Sequence, residues 1–305
     1  MRLTDVQTVD FNEDGYLLVD RLFSDDDLQP VINELTQEID VRAQGLVDQG
    51  KIENAYEEEG FETRLTRLGK VTEEVYWSIS SGQLSGPAIF DLLKHPKMLD
   101  MVECLVGPEI IASSAYRVRP KVPGFAHGVV PWHQDSTYFE PFCDPSLVLT
   151  VWFPLVDATL KTGCLEVLPK AHLDPLVKHL RGNPFLFIAA EEMPQSNPVL
   201  VPVPKCGALL LSNHSPHKSG VNAIDVIRWS FDMRYQSAAL PTNAMTSDGP
   251  LREQQDPEEP STCYPPEADI LVRSLERPGD VVAEWERFDQ LHRSYTPRPM
   301  TQRWG

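Results

Sequence analysis

The hydrophobic pattern changes period part-way along the chain. After Ser24, apolar residues recur at helical spacing through Leu28, Val31, Ile32, Leu35 and Ile39. Ser24 is placed as the N-cap, and Asp25, Asp26 and Asp27 complement the positive helix end. Residues 45–75 are polar and charged, with Glu57, Glu58 and Glu59 in a run, and read as a solvated loop or lid. A second helical stretch opens near Pro87 and runs through Leu92 and Leu93. Pro96 restarts it, and Gly107-Pro108 ends it. From residue 109 to about 236 the strong segments become short and β-like: EIIASSAYRVRP, LVLTVWFPLV, CLEVLP, ALLLSN and IRWSFDMRYQ, with turn residues between them in VPGFAHG, DATLKTG and PKCG. Helices first and many strands later predict a mainly β fold with flanking α-helices, built on an antiparallel barrel or double-sheet jelly roll.

IRWSFDMRYQ is the most legible strand. Ile227, Trp229, Phe231, Met233 and Tyr235 fall on one face, and Arg228, Ser230, Asp232, Arg234 and Gln236 on the other. That polar face looks either into water or into a polar barrel interior that holds an anion. The tail from residue 237 is rich in Pro and Glu, with isolated anchors at Trp285, His292 and Trp304, and is expected to wrap the core as loop and helix. It is too short and polar to bury a core of its own. The expected organisation is one domain over 1–305: a helical N-terminal buttress (1–108), a jelly-roll core (109–236) and a C-terminal wrap (237–305).

Composition narrows the partners. The formal net charge is -18, which repels a phosphate backbone, so no nucleic-acid partner is expected. No apolar run is long enough to cross a membrane, and the first residues carry no basic region followed by an apolar stretch, so neither a span nor a secretory signal is expected. The five cysteines, Cys104, Cys143, Cys164, Cys206 and Cys263, are odd in number and widely spaced, with no C-x-x-C. This points to reduced thiols and a cytoplasmic location. The oligomeric state stays open.

The candidate chemistry centres on PWHQDSTYF. His133 and Asp135 are two apart, which on a strand puts an imidazole and a carboxylate on one face. They form two corners of a two-His-one-carboxylate facial triad, the arrangement of non-haem iron(II) oxygenases. H-x-D alone is a weak signal. A second stretch, SNHSPHKSGVNAIDVIR, adds His214 and His217, either of which suits the third position by spacing, and then Arg228. A keto-acid co-substrate chelating such an iron needs a permanently charged, bidentate partner for its far carboxylate, and Arg is the suitable residue.

These residues resemble the phytanoyl-CoA dioxygenase family of iron(II)- and 2-oxoglutarate-dependent oxygenases. FNEDGYLLVDRLFSDDDL is similar to the family's opening, where a helix and a short strand precede the core. HQD with Tyr138 resembles its first metal motif, TGCLEVLPKAH the stretch between motifs, and HKSGVNAIDVIR the distal motif. The resemblance implies a double-stranded β-helix, cupin-like core, with Fe(2+), 2-oxoglutarate and O2 as cofactor and co-substrates and ascorbate supportive in vitro. It implies His133, Asp135 and His217 (rather than His214) as iron ligands. It further implies Arg228 as the 2-oxoglutarate clamp, Ser219 as its hydroxyl partner, and Arg119 as a contact to co-substrate or substrate. Trp152 is placed either in the pocket wall or in plain core. His172 belongs to the matched stretch but is placed in a turn, and His95, His127, His179 and His292 have no ligand-like neighbours.

The expected reaction is oxidation, with hydroxylation foremost, of a small organic molecule with release of succinate and CO2. Halogenases of related folds replace the carboxylate ligand with a small residue, whereas Asp135 is present here. The competing readings are a non-catalytic ligand-binding protein on the same fold and a cupin-like metalloenzyme that needs no keto acid. A CoA ester would call for a basic rim. The acidic composition favours a smaller or less anionic substrate, with Lys121, Lys170 and Lys178 as candidates for a local basic patch.

Overall fold

The structure is a computed structural model that describes residues 1–81, 84–113, 116–139, 144–182, 185–239 and 269–293. Cys143, Cys263 and Trp304, singled out above, lie outside the described residues. The chain opens with α1 (Asp5–Asp14), β1 (Tyr16–Val19), α2 (Asp25–Asp48), α3 (Arg64–Gly69), α4 (Glu74–Ser80), α5 (Pro87–Leu93) and α6 (Pro96–Val106). Then come β2 (Ile110–Ala112), β3 (Arg117–Lys121), β4 (Leu149–Pro154), β5 (Leu165–Val167), β6 (His179–Arg181), β7 (Leu186–Ile188) and β8 (Val199–Val201). Last are β9 (Ala208–Ser212), β10 (His217–Ser219), β11 (Arg228–Ser237), β12 (Ile270–Arg273) and α7 (Trp285–Arg293).

Local chemistry sets the helix ends. Thr4 and Ser24 each close a capping box, with Gln7 and Asp27 returning the bond to the cap backbone. Prolines open α5 and α6, where a missing N–H costs nothing.

Residues 45–75, expected to be a solvated loop, are instead partly helical and anchored. Leu46, Leu65, Leu68 and Val75 are buried, and the Arg64 guanidinium is buried against the Ala55 carbonyl and Asp40. The apolar anchors there are few and separated by charges, so the sequence shows no period. Their burial comes from α4 packing on β3 and α2. The tail likewise does more than wrap. Ile270 and Val272 turn inward and β12 extends the main sheet beside β2, while Phe288 and His292 of α7 are buried.

All paired strands run antiparallel. The main sheet has the order β1-β9-β4-β11-β2-β12, with β3 also on β11, and a smaller sheet has the order β10-β5-β8. Period-two alternation gives the main sheet two distinct faces. Val151 and Phe153 of β4, Leu210 of β9, and Trp229, Phe231 and Met233 of β11 join the larger apolar cluster with the helices. Trp152, Leu209 and Leu211 point the other way and pack with Leu165, Val167 and Val201 of the smaller sheet. The fold is therefore mainly β with flanking helices, two antiparallel sheets facing each other. The polar face of β11 looks into the space between them, and all five of its residues are buried there.

One close approach fixes the smaller sheet. Gly163, in the turn before β5, has φ +76, and a Cβ there would sit 2.4 Å from the Gly220 carbonyl oxygen. Its neighbour Cys164 accepts a bond from the Gly220 N–H at 3.0 Å. Gly163→Ala therefore adds left-handed strain to a backbone clash, with an expected loss of about 2 kcal/mol or more. Urea denaturation checks this, and an unchanged midpoint would contradict it.

Candidate metal centre

His133 and His217 face each other across an isolated antiparallel bridge, each N–H donating to the other's carbonyl at 3.0 and 2.9 Å. The sequence places H-x-D on a strand. The structure gives it only this bridge, after which Asp135 opens a short 3-10 turn, Asp135–Tyr138. Gln134 between them is extended, so His133 and Asp135 still serve one site, with His133 Nε2 3.6 Å from Asp135 Oδ1. One donor atom each from His133, Asp135 and His217 lies within 4.8 Å of the others, and all three residues are buried.

The histidines are held in the form a metal needs. His133 Nδ1 lies 2.9 Å from the Pro131 carbonyl, and His217 Nδ1 2.9 Å from the Ser215 carbonyl. A carbonyl only accepts, so each Nδ1 carries the hydrogen and each Nε2 offers a lone pair. Burial, with His133 alongside, pushes His217 down to about 4. Burial by itself raises the Asp135 carboxyl, but Arg234 and the histidine pair outweigh it and hold it well below the usual carboxylate range. Arg234 donates to Asp135 Oδ1 at 3.0 Å and Thr150 to Oδ2 at 2.6 Å. Two imidazole nitrogens and a permanent carboxylate, tautomers fixed and dry, suit iron(II).

The His217 shift makes stability depend on pH. The unfolded chain takes up this proton near 6.5 and the metal-free folded chain near 4. Between those values the unfolded state binds more protons, so the stability of the metal-free protein falls as pH drops from about 6.5 towards 4, by roughly 3 kcal/mol for this group. Urea midpoints at pH 7 and pH 5 measure it; equal midpoints would contradict the assignment.

Around the donors lies a cavity of about 340 Å³, reached by Arg119, Trp152, Ser219 and Arg228. Arg228 is buried, and its guanidinium carbon lies 5.0 Å over the Trp152 ring. Trp152 thus serves both readings left open for it: it packs in the smaller apolar cluster and floors the arginine. Burial and nearby Arg119 pull Arg228 down to about 9, so it stays charged at neutral pH. Its Nη1 donates to Ser230 Oγ at 3.3 Å, its Nε finds no acceptor, and no carboxylate pairs with it among the described residues. A buried guanidinium in this position has the chemistry to take a ligand carboxylate. Ser219 Oγ accepts from Lys121 Nζ and from the Val130 N–H, both at 2.9 Å, which leaves its own hydrogen to donate. Arg119 instead gives its Nε hydrogen to Asp232 Oδ2 at 2.6 Å.

Several supporting residues escaped the sequence reading. Arg234 holds Asp135. Lys121 is buried opposite Arg228 in the β3–β11 register, its Nζ donating to the Gly128 carbonyl, Ser219 and the Gly220 carbonyl at 2.6 to 2.9 Å. Burial, with Arg228 and Arg119 nearby, pulls it down to about 6, whereas three acceptors, one per ammonium hydrogen, favour the charged form. His179 accepts from the Gln134 N–H at 3.1 Å, and the Gln134 side chain bonds the His214 carbonyl and the Val177 N–H, so the HQD segment is pinned from both sides. The only advance signal was the alternation on β11, which put Arg234 on its polar face. Of the three lysines considered for a basic patch, Lys121 is buried, and Lys170 and Lys178 are exposed.

The profile of the phytanoyl-CoA dioxygenase (PhyH) family matches residues 11–229. The chain belongs to that family. Peroxisomal phytanoyl-CoA dioxygenase of Rattus norvegicus is 28% identical over 172 residues, 55% of this chain and 47% of that protein. The chain thus aligns with about half the length of those relatives. Phytanoyl-CoA dioxygenase domain-containing protein 1 of Rattus norvegicus is 26% identical over 271 residues, 78% of this chain and 91% of that protein. The fold is shared with the non-heme monooxygenase ThoJ in its apo form, TM-score 0.57 at 18% identity over 88% of this chain and 84% of that one. It is also shared with the epimerase SnoN in complex with Fe3+, alpha ketoglutarate and nogalamycin RO, TM-score 0.53 at 21% identity over 77% and 83%. In the phytanoyl-CoA dioxygenase family frame, the matched region runs from α1 into β11 and contains all three donors and Arg228.

Proposed function

We propose that this chain is an iron(II)- and 2-oxoglutarate-dependent dioxygenase that oxidises, foremost by hydroxylation, a small organic substrate. The observation that carries the reading is buried Arg228, charged and unmatched, in the same cavity as the three donors. His133 Nε2, His217 Nε2 and an Asp135 oxygen would hold the metal. Iron(II) with 2-oxoglutarate and dioxygen supplies the oxidising power, releasing succinate and CO2.

The chain's own part is placement. Arg234 and Thr150 fix both Asp135 oxygens, so the carboxylate cannot rotate away from the donor face. Arg228 takes the far carboxylate of 2-oxoglutarate, Ser219 donates a hydroxyl hydrogen to it, and Trp152 holds the guanidinium plane. The buried walls exclude water from the reacting region. A non-catalytic binding protein has no use for two histidines held in the metal-ready tautomer, and a keto-acid-independent enzyme has none for Arg228.

Among the described residues no helix is long and apolar enough to cross a membrane. Cys104, Cys164 and Cys206 are free thiols, which supports a reducing, cytoplasmic setting. The test is succinate release from purified protein with iron(II), ascorbate, 2-oxoglutarate and candidate substrates. Iron-dependent 2-oxoglutarate binding with succinate formation is expected. Absence of both in well-folded protein would overturn the reading.

A further inference from the structure

The polar face of β11 carries a second carboxylate that the oxygenase reading leaves without a task. Asp232 is only 6% exposed and lines the cavity. Its Oδ2 accepts from Arg119 Nε at 2.6 Å. Its Oδ1 is buried and has no hydrogen-bond partner among the described residues, and Arg234 Nη1 stands 3.9 Å from it, beyond bonding range. A buried carboxylate oxygen held in this way costs roughly 1–3 kcal/mol or more and calls for a donor.

Neither the metal nor the co-substrate supplies that donor. The metal donors are His133, Asp135 and His217, and Asp232 is not among them. The carboxylates and keto oxygen of 2-oxoglutarate only accept. Asp232 also lies four residues along β11 from Arg228, about 13 Å on an extended strand, and so clear of the clamp. It is close to the reacting centre nonetheless. Arg234 spans the two acids, its Nη2 bonding Asp135 Oδ1 at 3.0 Å and its Nη1 facing Asp232 Oδ1. The open acceptor is thus one guanidinium away from an iron ligand. Across the sheet Asp232 stands opposite Trp152 of β4, so an apolar wall adjoins it.

We propose that Asp232 determines specificity by taking a hydroxyl hydrogen of the substrate on Oδ1, and that the substrate is a small neutral alcohol with an otherwise apolar body. This rests on the oxygenase reading for its chemistry but on the bonding of Asp232 for its specificity. An ammonium group would face Arg119 and Arg234, both already set around the same carboxylate, whereas a neutral O–H brings no charge to repel. The body meets Trp152, Leu165, Phe185 and Leu211 of the cavity wall. The cavity, about 340 Å³, stands at the low end of the usual range of roughly 300–1,000 Å³ and holds the co-substrate as well, which keeps the alcohol small. A site that bonds a substrate hydroxyl rejects the analogue without one, because its own buried group is then left unpaired.

The experiment compares cyclohexanol, benzyl alcohol and indanol, each with the carbonyl compound and the amine of the same carbon skeleton. Dissociation constants are read by calorimetry in oxygen-free buffer, with iron(II) and 2-oxoglutarate present and again without them. At least one alcohol is expected to bind about tenfold or more tighter than both its partners, equivalent to about 1.4 kcal/mol. Asp232→Asn keeps an oxygen for Arg119 and puts an amide N–H where the acceptor stood. The ratio of alcohol to carbonyl binding should then fall to one or invert. A merely structural Asp232 would shift both affinities together and leave that ratio alone. If the variant fails to fold, the ranking by the unmodified protein decides. Equal binding of alcohol and carbonyl compound (the result if water alone serves Asp232), preference for the amine, no binding of any alcohol, or a folded variant that keeps the alcohol preference would each overturn the proposal. Alcohol preference in protein that does not bind 2-oxoglutarate would sink the oxygenase reading and keep the anchor; 2-oxoglutarate binding without alcohol preference would do the reverse.

Discussion

Asp135→Asn is expected to lower succinate formation by about three decades, the several kcal/mol that a correctly held metal contributes. The substitution keeps size and a carbonyl oxygen for the Thr150 hydroxyl, so the local fold survives. It removes the charge that Arg234 reads at 3.0 Å and that a divalent ion needs. Iron(II) affinity, measured by calorimetry, should fall by more than the roughly 10–100-fold typical of losing a mere supporting residue. Turnover and iron affinity both within a few-fold of the unmodified protein would show that Asp135 is not a ligand.

Arg228→Gln is expected to raise the 2-oxoglutarate requirement about 100-fold, the loss of a charge-assisted carboxylate contact worth about 2–3 kcal/mol. The same change should leave the ligand-free protein as stable as before, or more stable. In that state Arg228 is a buried cation facing another, Lys121, directly across the β3–β11 ladder, and like charges in register destabilise a sheet. Loss of co-substrate affinity together with an unchanged or raised urea midpoint is the signature of a residue kept for binding at the expense of stability. A variant that unfolds easily while binding 2-oxoglutarate normally would reverse the assignment.

The legible parts of the fold were those with a local cause. The α5–α6 pair was marked by Pro87, Pro96 and Gly107, and α2 by Ser24 as its N-cap and the acidic run after it. β11 was plain because its alternation runs unbroken for ten residues. The helices between residues 45 and 75 and strand β12 were illegible, since a few apolar anchors among charges acquire meaning only from the surface they meet. The apolar face of β11 was expected in the core; that its polar face is also buried required a second sheet to close over it.

The site divides in the same way. Sequence alone determined the donor types, the H-x-D spacing, and an arginine two or more strands later; resemblance to relatives then chose His217 over His214. Tertiary structure decided what those donors are able to do. It set both imidazoles in one tautomer, brought Arg234 onto Asp135 from 99 residues away, and stacked Arg228 on Trp152. It also buried Lys121 against Ser219, 98 residues distant, and opposite Arg228. Protonation, orientation and net charge of a site are sums over contacts between segments far apart in the chain, and a linear pattern holds only the local terms of such sums.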